Sequence, residues 1–159
     1  MTLVVYVGGA RSGKSRLAVE RAAAAGAPVV FVATGEAGDE EMAERIARHR
    51  AERPRSWWTV EEPLELTRAL REAPVDATVI VDCLSLWVAN GGGDTGAVET
   101  AAARTALTIA VTNEVGLGIV PDNALARAYR DALGRVNAQW AAAAGEAHLV
   151  VAGRTLALR

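Results

Sequence analysis

Eight residues, Gly8-Gly9-Ala10-Arg11-Ser12-Gly13-Lys14-Ser15, follow the spacing G-x-x-x-x-G-K with a closing Ser or Thr, directly behind the apolar run Leu3 to Val7. That is the pattern of a phosphate-binding loop, or P-loop. Glycines at 8, 9 and 13 let the backbone curl round a polyphosphate with its N–H groups turned inward, and a helix opening at Lys14 would aim its positive end at the same anion. Lys14 would reach the β- and γ-phosphates, and the Ser15 hydroxyl would ligate Mg²⁺. The plain alternative is a Gly-rich strand-to-helix turn that binds nothing. Asp82, at the end of the apolar run Thr78 to Val81, stands where a carboxylate can hold the same Mg²⁺; a strand-end Asp can equally cap the next segment.

A second set of reactive groups lies between Glu40 and Pro54. Written as a helix, this stretch is acidic early and basic late, the sense that the helix dipole favours, and Pro54 ends it. Arg45, His49 and Arg53 fall at i, i+4 and i+8, placing one imidazole between guanidinium groups on a single stripe that would attract a phosphate chain. A neutral imidazole is a nucleophile toward phosphorus and forms a phosphoramidate. A solvated charged helix with an incidental histidine satisfies the same pattern. His148, ahead of Leu149-Val150-Val151, reads as a structural strand-edge residue.

A third feature runs from Thr112 to Asn123, where two glycines and a proline join a strand to a long helix at the carboxyl edge of the sheet. Such a connection is either a shaped ligand loop or an ordered turn with Asp122 or Asn123 as N-cap. It superficially resembles the guanine-reading N-K-x-D motif of small GTPases, but the Lys and Asp positions hold Glu114 and Gly116, which excludes that class. Protein-kinase and transporter-ATPase signatures are absent too. The pair Trp57-Trp58 suits a core or an interface better than a base-stacking platform.

These groups need a scaffold, and the chain alternates short β-branched runs with alanine-rich helical stretches, the pattern of an α/β domain with a largely parallel sheet. Strands are expected at 3–7, 29–33, 79–82, 107–112 and 148–152, with further short ones at 57–61 and 155–158. Helices are expected at 15–25, 40–53, 63–71, 97–106 and 123–144. The length of 159 residues fits one domain, taken as 1–159, with a core large enough to need no staples. Seventeen basic side chains nearly balance nineteen acidic ones, giving no global case for nucleic acid or an anionic membrane. Cys83 is the only cysteine, which excludes an internal disulfide framework and a cysteine zinc site. No basic-then-apolar leader and no apolar run approaching 18 residues is present, so a soluble, cytoplasmic protein without membrane insertion is expected. With the P-loop, the expected fold is a single RecA-like P-loop NTPase domain, a mostly parallel central sheet flanked by helices.

Taken together, the sequence resembles the bifunctional adenosylcobinamide kinase and adenosylcobinamide-phosphate guanylyltransferase family of cobalamin biosynthesis. The residues that carry the match are G-G-A-R-S-G-K-S (8 to 15), A-T (33 and 34), D-x-E-M-A-x-R-I-x-x-H-x-x-x-R-P (39 to 54) and W-x-T-x-E (57 to 61). The strand ending at Asp82, N-E-V-G-x-G-I-V-P (113 to 121), N-x-L-A-R (123 to 127) and G-R-V-N (134 to 137) continue it, in order, over nearly the whole chain. The resemblance implies two reactions at one nucleotide site. A nucleoside triphosphate, ATP or GTP, phosphorylates adenosylcobinamide. A histidine then takes GMP from GTP and passes it to adenosylcobinamide phosphate, giving adenosylcobinamide-GDP.

By the same resemblance the guanylylated histidine is His49, with Lys14 as its catalytic companion. Nucleotide contacts would come from Gly8, Gly9, Ala10, Arg11, Ser12, Gly13, Lys14 and Ser15, from Ala33, Thr34 and Gly35, from Arg50, Ala51, Glu52 and Arg53, and from Glu61 and Asp82. Mg²⁺ would sit between Ser15 and Asp82, and the protein would assemble as a homotrimer. Two departures stand out: Asp82 replaces the Glu of some relatives, and the stretch 91–106 is shorter than the family's helical region. A generic P-loop small-molecule kinase in which His49 only binds phosphate, and a non-enzymatic nucleotide-gated binding module, are the competing readings.

Overall fold

A computed structural model describes residues 2–51 and 53–159. Seven strands form one sheet: β1 (Leu3–Gly8), β2 (Val29–Ala33), β3 (Trp58–Glu61), β4 (Thr78–Asp82), β5 (Thr108–Asn113), β6 (Glu146–Val151) and β7 (Arg154–Leu158). Their order across the sheet is β3-β2-β4-β5-β1-β6-β7, and every neighbouring pair is parallel except the terminal hairpin of β6 and β7. Among the described residues six helices complete the fold: α1 (Lys14–Ala24), α2 (Glu40–Ala51), α3 (Leu66–Glu72), α4 (Leu84–Ala89), α5 (Thr95–Ala103) and α6 (Ala124–Ala143). The expected α/β domain with a mostly parallel sheet, consistent with a P-loop NTPase fold, is what the chain forms.

The near-continuous apolar strands follow from burial on both faces. On β1, Leu3, Val5 and Val7 enter the larger core, shared with α3 to α6, while Val4 and Tyr6 enter the core under α1. The same alternation gives Phe31 and Ile80 to the α1 face. Among the helices α2 is the exception, since none of its residues is buried and half of its twelve residues are charged.

Several boundaries move from expectation, each for a local reason. The segment Leu84–Ala89, where no element is expected, is a short helix after β4; its Leu84, Trp87 and Val88 are buried against the larger core. Helix α5 stops at Ala103, because the Arg104 guanidinium donates to the carbonyls of Leu70, Ala73, Pro74 and Ala77 and draws the chain off the helical path. Strand β6 begins at Glu146, which pairs with Val4. The tryptophan pair splits: Trp57 packs against the α1-side core, and Trp58 is exposed.

Candidate functional site

The carboxyl ends of β1, β2, β4 and β5 meet at one edge of the sheet, and the loop behind β1 wraps over it. Gly8 closes β1 where a Cβ would collide with the Val150 carbonyl oxygen of the neighbouring strand. Arg11 and Gly13 take left-handed backbone (φ 56° and 99°), which turns the chain back so that α1 starts at Lys14. No side chain caps that helix, so its first N–H groups remain available to an anion. The turn between β6 and β7 braces the loop from outside, with Gly153 N–H donating to the Ser12 carbonyl at 2.8 Å.

Lys14 is folded back over the loop. Its ammonium donates to the Gly9 carbonyl at 2.5 Å and to Ser12 Oγ at 3.3 Å, and the residue is only 6% exposed. Burial lowers its pKa, an effect opposed by the neighbouring Cys83 and Asp82 and reinforced by Arg45. A cation that has lost water without gaining a carboxylate partner is poised for an anionic ligand.

Beside the loop is a cavity of about 600 Å³, and it gathers most of the residues singled out in the sequence. Ala10 to Ser15 line one wall; Ala33, Gly35 and Asp82 line the floor; His49 and Arg53 approach from α2 and the turn beyond it. Gly8 and Gly9 form the base of the loop just outside this lining. Thr34 is buried beneath it, its hydroxyl donating to the Cys83 carbonyl (2.6 Å) and accepting from the Cys83 N–H (2.8 Å), a latch that ties β2 to β4.

The stripe of Arg45, His49 and Arg53 is not continuous. Helix α2 ends at Ala51, which is exposed, and Arg53 turns inward after it. Arg45 and His49 remain on the helix and face the cavity. The Arg53 guanidinium lies 3.5 Å over the Phe31 ring and donates to Thr59 Oγ1 at 3.2 Å, while its buried Nε has no partner among the described residues. Burial lowers its pKa, against the pull of Asp82. Arg50 instead pairs with Glu61 at 3.2 Å on the exposed rim, outside the lining, and Glu52 lies outside the described residues.

Other groups at the cavity had no motif to announce them. Phe31 is the clearest, and it follows from strand alternation once Asp82 is placed, because it shares that face of the sheet; Asn113, the first residue of the N-E-V-G-x-G-I-V-P segment, lies on the same face. The Cys83 thiol, on the same floor, is pushed up to about 11, chiefly by burial. Ser15 and Asp82 border the cavity together, and no cluster of three His, Cys, Asp or Glu side chains occurs among the described residues. One hydroxyl and one carboxylate beside an anion site are a donor set that fits Mg²⁺, which keeps waters and phosphate oxygens as its other ligands.

Residues 3–158 match the model of a family described as cobinamide kinase / cobinamide phosphate guanyltransferase. The bifunctional adenosylcobalamin biosynthesis protein CobP of Pseudomonas aeruginosa is 42% identical, with 98% of this chain and 96% of that protein covered. The proteins named CobU in Escherichia coli and Salmonella typhimurium are 39% and 40% identical, each over 95% of this chain and 96% of the relative. These alignments run to 166, 175 and 177 positions against 159 residues here, so each relative carries residues that this chain lacks. With a match over almost its full length, the chain belongs to the cobinamide kinase / cobinamide phosphate guanyltransferase family.

Proposed function

We propose that this protein phosphorylates adenosylcobinamide with ATP or GTP and then transfers GMP from GTP to adenosylcobinamide phosphate, through a guanylyl group carried on His49. The observation that carries the reading is one cavity that holds the P-loop, Asp82, Arg53 and His49 together. Its family membership supports both reactions at that site.

In the first reaction the substrate hydroxyl attacks the γ-phosphorus, its proton passes to solvent or a carboxylate, and the nucleoside diphosphate leaves. The loop N–H groups and Lys14 hold the phosphates and take up charge as the bond breaks. In the second, a His49 ring nitrogen attacks the α-phosphorus of GTP, a P–N bond forms, and pyrophosphate departs into the P-loop. Arg53, held on Phe31, neutralises charge at the α-phosphate. A phosphate oxygen of the phosphorylated substrate then attacks the same phosphorus, the P–N bond breaks, and His49 is regenerated. Mg²⁺ held by Ser15 and Asp82 supplies further neutralisation of phosphate charge when bound.

A cytoplasmic homotrimer completes the proposal. No helix among the described residues is long and apolar enough to cross a membrane. Exposed Leu117, Ile119, Val120 and Leu125 offer an apolar surface for association at the β5–α6 connection.

The decisive assay incubates the protein with α-³²P-GTP and Mg²⁺ and denatures it. Acid-labile, base-stable label is expected on the wild type and not on His49→Ala. An unlabelled wild type, or equal labelling of the variant, removes the guanylyl-histidine. Transfer from γ-³²P-ATP to cobinamide tests the kinase reaction separately, and its absence removes that half.

A further inference from the structure

Strand β5 lies between the P-loop strand β1 and the Asp82 strand β4, and its register fixes what it delivers to the site. Asn113 is level with Gly8, the first P-loop residue, while Val111 is level with Asp82. Side chains alternate along the strand, so Val111 and Asn113 share the α1 face and border the cavity, and Thr112 points the other way into the larger core.

The opposite face anchors the strand end with unusual completeness. Thr112 Oγ1 donates to Asn137 Oδ1 at 2.6 Å, and Asn137 Nδ2 donates to the Asn113 carbonyl at 2.9 Å. The Asn113 N–H donates to Ser85 Oγ at 2.6 Å, and the Ser85 carbonyl accepts from the Tyr129 hydroxyl at 3.1 Å. One residue on, the Glu114 N–H donates to the Gly8 carbonyl at 3.1 Å, which ties the strand to the base of the P-loop. Thr112, Asn137 and Ser85 are all buried. These bonds consume the Asn113 backbone, its carboxamide has no hydrogen-bond partner among the described residues, and the cavity that Asn113 borders is lined by Lys14 as well.

We propose that the Asn113 carboxamide donates to the terminal phosphate of a nucleoside triphosphate on the P-loop, with Asn137 and Ser85 as the residues that position it. This rests on the nucleotide reading above and adds a residue to it. Lys14 Nζ, resting on the Gly9 carbonyl, marks the end of the loop where the outer phosphates go, and Asn113 is level with that same end. A neutral NH₂ donor on a backbone fixed from behind stabilises phosphate oxygens without reorganising.

The test measures Mg²⁺-dependent binding of the β,γ-imido analogue of GTP and of GDP to the full chain, for wild type, N113A and N113D. N113A should lose roughly tenfold for the triphosphate analogue, as expected for one hydrogen bond to a charged group, and N113D roughly a hundredfold because a donor becomes an anion. Binding of GDP should stay within about twofold in both. Both variants keep the backbone bonds to Ser85 and Asn137, so melting temperatures should match wild type; N113S, with a shorter donor, should fall between wild type and N113A. Wild-type affinity for both nucleotides in N113A and N113D, or equal losses for the two nucleotides, overturns the contact. A wild type that binds neither nucleotide overturns the nucleotide reading itself, a different result from unchanged variants.

Discussion

Gly8 and Lys14 show how closely the loop is fitted at the scale of single residues. A methyl group at Gly8 meets the Val150 carbonyl and crowds Ser12 Oγ at 2.9 Å, and both lie on backbone or loop that cannot give way cheaply. Gly8→Ala should therefore cost about 1–3 kcal/mol in urea unfolding and weaken nucleotide binding with it. Lys14 behaves in the opposite sense. Its pKa is depressed in the fold, so the charged form is penalised at every pH below the folded value, and stability rises as pH climbs through it toward the ordinary 10.5. Lys14→Met should raise the stability of the unliganded protein at pH 7 by about 1 kcal/mol while abolishing triphosphate binding, measured by melting with and without nucleotide. The P-loop was readable in the sequence because its fixed positions, Gly8, Gly13, Lys14 and Ser15, fall within eight consecutive residues. Phe31 was not, since an aromatic in a strand becomes a site residue only when its neighbours across the sheet are known; Asn113 stood in a legible motif, but its own place at the cavity depends on the register of β5 against β1 and β4.

Among the helices, α2 stands apart by its lack of any buried residue, although it bears His49. Only Met42, Ile46 and His49 on it are half-buried. Its amides should exchange with deuterium faster than those of α1 and α6, and a bound nucleotide should slow them, which mass-resolved exchange can check. The junction of β3 and α3 depends on Glu62, whose carboxylate accepts from the Glu65 and Leu64 N–H groups and from Arg68. Those bonds, the Glu65 N–H first, hold its pKa below the ordinary 4.5. The stability they contribute is complete above 4.5 and lost as pH falls through the lower folded value. Glu62→Gln should be about 1 kcal/mol less stable at pH 7, with the difference shrinking below pH 4.5, by chemical unfolding across that range. Long periodic helices such as α6 were legible from sequence. Helix α4 was not, because six residues buried nearly all round carry no period, and the early end of α5 depends on Arg104 reaching carbonyls some thirty residues away.

At the scale of the whole molecule, apolar side chains at the β5–α6 connection are left in water, Ile119 being 97% exposed and Leu117 84%. If this surface joins the subunits, Ile119→Asp combined with Leu125→Asp should shift a trimer toward monomer in light scattering, with the secondary structure intact. The order of strands has a different consequence, for how the protein is made. Of the seven strands of this sheet β1 is translated first, yet it finds its neighbours in β5 and β6, and the turn at Ala152 and Gly153 then closes on Ser12. The nucleotide loop is translated well before the residues that secure it. A nascent chain that stops short of Gly153 thus displays the complete P-loop sequence without the partners that shape it, and competence to bind should arrive in one step, when β6 and the turn after it emerge.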